Sequence, residues 1–185
     1  MSFAAARQTA IALFAAVALS VTGCGSTARP SATAGHASAS ATTGDIPSES
    51  AKMICKPEAE DEIAAALGVR TSRPPTPQWV DRLYSCRYTY PTGTMVVSVK
   101  ELPDEATTNA YYSAAQNNVP GSTGVMILGQ NGFTEPDGSV SVRKDFKVLR
   151  IDVSALPARF GRPAHSRSNV AFAVAAVILG CWTGS

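Results

Sequence analysis

The chain has 185 residues, enough for one domain of ordinary size and short for two. Hydrophobic residues make up 45% of it, which supports a packed core and excludes a chain disordered throughout. The formal net charge is only +2, with acids and bases mixed along the chain; that argues against nucleic acid as a partner, because phosphate binding needs clustered Lys and Arg. The densest basic cluster, Arg143 and Lys144 with Lys147 and Arg150, alternates with apolar residues as a solvated strand face does.

Residues 1–23 read as an export signal. Arg7 supplies the positive charge, "AIALFAAVALSV" an apolar run too short for a stable membrane span, which needs ~20 residues, and small residues follow. "VTGC" (Val21 to Cys24) then resembles the bacterial lipobox. The resemblance implies that the Cys24 thiol is alkylated with a diacylglycerol and that the chain is cut just before it. Two acyl chains on Cys24 would then hold the protein at the membrane where one chain would not. The rival reading is an ordinary cysteine after a conventional cleavage site.

Residues 24–51 continue as the acylated Cys24 and a Ser/Thr/Ala/Gly/Pro tract with no aromatic residue and one branched aliphatic, Ile46. Such a tract cannot bury enough apolar surface to offset the entropy of ordering, so a flexible linker is expected, spanning roughly 30 Å as a random coil. His36 falls within it and so is not expected to join a fixed site.

Residues 52–185 carry the folding pattern. Pro57 to Leu67 predicts a helix, with Pro at its first position, acids in the first turn, Gly68 as its stop and a buried stripe of Ala59, Ile63, Ala66 and Leu67. "SRPPTPQW" predicts a proline-rich loop. "LYSCRYTY" and "TMVVSVKEL" alternate as the two arms of a hairpin around "PTG". Pro103 to Asn117 predicts a second helix with an apolar stripe at Ala106, Ala110, Tyr111 and Ala114, and "GVMILGQ" a short buried strand. Asn131–Gly132 reads as a turn, as does Asp137–Gly138 ahead of the strands "SVSVRK" and "FKVLRIDV". The last element, "SNVAFAVAAVILGCW", is apolar all round and predicts a buried helix capped by Ser168, with a second membrane segment as its rival. The order α-β-β-α-β-β-β-α is that of an α+β domain, helices packed on a mainly antiparallel sheet.

Three stretches, "MICKPEAEDEIAAALG", "YSCRY" and "DGSVSVRKDFKVLRIDVSALP", with the terminal "LGCWTG", are similar to small cell-envelope lipoproteins of actinobacteria grouped as domains of unknown function. The resemblance implies a compartment and a fold, and no activity.

With Cys24 acylated, Cys55, Cys86 and Cys181 remain, and an exported domain meets an oxidising environment. The favoured disulfide is Cys55–Cys86, closing the loop that holds the proline-rich segment; either pairing with Cys181 is the alternative. Zinc finds no paired Cys/His spacing, and no cofactor motif or catalytic signature stands out. His165, in "GRPAHSRS", reads as a solvated loop histidine. Trp79, Tyr84, Tyr88 and Tyr90 could line a pocket for an apolar or glycan ligand, although tyrosines on one strand face ordinarily cover a core. The expected function is that of a lipid-anchored binding or accessory module on the outer face of the cell membrane, serving an envelope protein, lipid or glycan. The alternative is an envelope hydrolase whose site is assembled only by the fold.

Overall fold

A computed structural model describes residues 46–182; the signal segment, Cys24 and the greater part of the expected linker lie outside the described residues. The protein is α+β: the described residues form four α-helices and a seven-stranded antiparallel sheet of order β1-β2-β3-β7-β6-β5-β4, with a separate two-stranded ladder. No helix among the described residues is long and apolar enough to cross a membrane.

The chain enters the fold at Ser48, before the expected end of the linker. Ser48 caps a short helix α1 (Glu49–Lys52) by accepting from the Ala51 N–H, and its own backbone N–H donates to the buried Glu101 carboxylate. A 3₁₀ turn, Met53–Cys55, leads into α2 (Pro57–Leu67). Gly68 ends α2 in the left-handed region, φ 64°, where a Cβ would lie 2.1 Å from the Arg162 carbonyl oxygen; only glycine fits. The buried face of α2 carries Ala59, Ile63, Ala64 and Leu67; Ala66, expected in that stripe, is exposed.

The segment expected as a loop contains β1 (Thr76–Val80), an edge strand paired with β2 (Leu83–Tyr90) through a tight turn at Asp81 and Arg82, both at positive φ. Pro77 is tolerated there because an edge strand has one side that needs no hydrogen-bond donor. β2 and β3 (Gly93–Glu101) form the expected hairpin. After α3 (Glu105–Asn117), capped by Asp104, come β4 (Thr123–Ile127) and β5 (Gln130–Thr134), joined at Leu128 and Gly129, again both at positive φ. The turn is therefore not at Asn131–Gly132, which lies inside β5. β4 is an edge strand with Met126 exposed, not a buried one. β6 (Val140–Lys144) and β7 (Lys147–Asp152) complete the sheet. A ladder of β8 (Arg159–Phe160) and β9 (His165–Ser166) precedes α4 (Arg167–Cys181), whose cap is Ser166, two residues before the expected Ser168.

One face of the sheet presents Cys86, Tyr88, Tyr90, Met95, Val97, Val99, Leu149, Ile151, Val140 and Val142, all buried in one core with α1, α2 and α4. α4 is buried along Val170, Ala171, Val174, Ala175, Ile178 and Leu179, and Phe172, Ala173 and Val177 between them are half-buried, which explains its all-round apolar sequence. On the opposite face, α3 packs Thr108 and Tyr112 inward, Tyr112 meeting Phe133 edge-on at 5.4 Å. The stripe expected to be buried, Ala106, Ala110, Tyr111 and Ala114, faces solvent. The disulfide Cys55–Cys86 ties the 3₁₀ turn to β2 across the core, with Cα atoms 5.5 Å apart.

Candidate functional site: a polar cleft beneath helix α3

The four aromatic residues singled out from the sequence do share the helix-covered face, Trp79 opposite Tyr84 in the register. They do not form a groove. Tyr88 is fully buried and its hydroxyl donates to the Ile54 carbonyl at 2.5 Å; Tyr90 is buried edge-on against Phe160 at 4.8 Å. The helices that cover this face make the tyrosines part of the core. Trp79 and Tyr84 are half-buried where the sheet ends, their ring centroids 6.5 Å apart. Burial pushes the Tyr88 and Tyr90 hydroxyls well above the ordinary tyrosine range, and the charge of Glu60 adds to the effect on both.

Cys181 remains a thiol, half-buried, with its Sγ 3.7 Å from Glu62 Oε2 of α2. His165 pairs with Phe160 in the short ladder before α4. The basic residues of β6 and β7 mostly take separate partners. Arg143 donates to the Asn109 side chain, Lys144 meets Asp145 at 3.3 Å, and Arg150 forms a two-pronged pair with Glu135, both distances 2.9 Å, and a third contact with Asp152. Burial opposes the charge on Asp152, yet the hydrogen bonds from Ser154 and the charge of Arg150 outweigh it and hold its carboxyl below the usual range. Among the described residues no three His, Cys, Asp or Glu side chains are grouped to hold a metal ion.

A cleft of about 650 Å³ opens between α3 and the outer face of β4, β5 and β6. From the helix, Asn109, Tyr112, Ser113 and Gln116 line it at the three- and four-residue spacing that keeps side chains on one face. From the sheet come Met126, Asn131 and Arg143. Its volume is that of a small-ligand cleft. The donors and acceptors are three amides, two hydroxyls and a guanidinium, and no carboxylate lines it. The Arg143–Asn109 hydrogen bond fixes the inner wall, while Tyr112, held by Phe133 and half-buried, offers ring surface. Neither Asn109 nor Gln116 carries a sequence signal of its own. Only the crossing of α3 over the far half of the sheet brings them to Asn131 and Arg143. Comparison of the chain with protein-family models, with curated proteins and with solved structures finds no match.

Proposed function

We propose that the chain is a lipid-anchored, extracytoplasmic binding module of the cell envelope, held at the membrane through a diacylglyceryl group on Cys24, and that the cleft beneath α3 binds a glycan. The reading rests on the chemistry of that cleft. Sugar hydroxyls both donate and accept, and planar amides such as Asn109, Gln116 and Asn131 do the same. Arg143 adds donors only, and the Tyr112 ring and Met126 suit the C–H faces of a pyranose. An acyl chain would leave these polar groups unpaired, which disfavours a lipid tail as the occupant. The Cys55–Cys86 disulfide fits an oxidising compartment.

The test is calorimetric titration of the full chain, as the producing cell matures it, with peptidoglycan fragments and with neutral oligosaccharides. At least one series should bind, and Asn131→Ala and Gln116→Ala should each weaken it by about tenfold, the effect of losing a hydrogen bond or two. Both side chains reach solvent, so the fold tolerates the changes. Absence of binding to every saccharide, or binding indifferent to both substitutions, overturns the reading.

A further inference from the structure

The outer face of the sheet is covered by α3 over only part of its width. Over β1, β2 and β3 the strand register places Thr76, Arg87 and Val96 in one row and Gln78, Ser85 and Ser98 in the next. A second cleft, of about 380 Å³, lies there. Its walls include Arg73, Thr76, Gln78, Ser85, Arg87 and Val96. No carboxylate lines it, and neither arginine forms an ion pair among the described residues. The carboxylate in the same row, Asp152 beyond Val96, is already engaged by Arg150 and Ser154.

From this juxtaposition we infer that the Arg73–Arg87 cleft is a binding site for a phosphoryl group. Two guanidinium groups facing one cleft repel each other, and an oxyanion between them removes the repulsion. Arginine suits phosphate in particular because its planar fork makes two parallel hydrogen bonds to one group. Arg73, in the bend before β1, is steered by its Nε donating to Thr89 Oγ1 at 3.3 Å, and Arg87 rises from the middle of β2. The Thr76 and Ser85 hydroxyls and the Gln78 amide add donors around the anion. The cleft has room for a phosphate together with a small substituent on it. It lies at the opposite end of the sheet from the α3 cleft, so the two proposals stand or fall separately.

Calorimetric titration of the full chain in nonionic detergent tests the site with four soluble probes: inorganic phosphate, glycerol 3-phosphate, glycerophosphoglycerol and glycerol. The three phosphates should bind and glycerol should not, and raising the salt concentration should weaken the binding because the site is exposed. Arg73→Gln and Arg87→Gln should each weaken it by about tenfold. Arg87→Lys, which keeps the charge and loses the fork, should fall between, and Arg143→Gln, in the other cleft, should change nothing. Tighter binding of glycerophosphoglycerol than of phosphate assigns the source to a phospholipid headgroup; equal binding assigns it to the free anion. Failure of all three phosphates to bind, or binding unchanged in both glutamine variants, overturns the site.

Discussion

Tyr88 and Tyr90 stand two residues apart on the buried face of β2, and their hydroxyls meet different fates. Tyr88 donates to the Ile54 carbonyl, whereas the Tyr90 hydroxyl is buried with no hydrogen-bond partner among the described residues. A buried polar group without a partner costs its desolvation energy, so removing it relieves the fold, and removing a satisfied donor leaves an acceptor stranded. Tyr88→Phe should therefore destabilise the protein by about 1–3 kcal/mol, while Tyr90→Phe should be neutral or stabilise it by up to about 1 kcal/mol. Urea unfolding of the two variants beside the parent checks both signs. The same two residues set the alkaline limit. In the unfolded chain they ionise near 10.0, and in the folded protein burial holds them protonated to higher pH. Their contribution is whole below 10.0 and is lost as pH rises towards the raised folded values. Stability should fall steeply above that point, and less steeply when both residues are Phe.

At the scale of elements, the disulfide joins the 3₁₀ turn to the second strand across 31 residues of chain, enclosing α2 and β1. Closing a loop of that length removes unfolded-state entropy worth about 3–4 kcal/mol in the chain-entropy model. Reduction should then lower the unfolding midpoint by on the order of 10 °C, and disulfide mapping should find Cys181 as a thiol in the oxidised protein. A midpoint unchanged by reductant would mean that the packing of the 3₁₀ turn, α2 and β2 holds without the bond. The elements that the sequence reveals are those with one face in the core. α2, β2 and β3 were legible because their apolar residues repeat at the helix or strand period. β1 was not: four of its five residues are exposed, so nothing alternates, and Pro77 reads as a breaker until the strand is known to lie at an edge. Asn131–Gly132 misleads for a different reason. Gly132 is glycine because a Cβ there would come within 2.8 Å of the Ser141 carbonyl oxygen, not because the chain turns. On α3 the alanines count as apolar in any pattern, yet Thr108, its hydroxyl donating to the Asp104 carbonyl at 2.6 Å, is the residue that is fully buried, with Tyr112 half-buried beside it. The α3 cleft was illegible for want of any local signature: its polar residues come from one helix and two strands.

At the scale of the whole molecule, the fold closes on itself at Ser48. There the first helix is capped and the Ser48 N–H and hydroxyl both donate to Glu101, whose carboxylate is buried at the end of β3. Trp182, the last described residue, donates from its indole N–H to the Ser50 carbonyl at 3.0 Å, so both ends of the described chain meet at α1. Among the described residues the core begins at Ala51. On the reading of residues 24–51 as a flexible linker, the proposed attachment at Cys24 acts separately from that core. Cys24→Ala should abolish incorporation of labelled fatty acid while leaving the unfolding midpoint and the Cys55–Cys86 bond as they are in the parent. Glu101→Ala should do the opposite, lowering stability by about 1–3 kcal/mol because two donors at the entry of α1 lose their acceptor, with fatty-acid labelling intact. Labelling that survives in Cys24→Ala would remove the anchor from the proposed function, and the calorimetric tests of the two clefts would then be tests of a module without one.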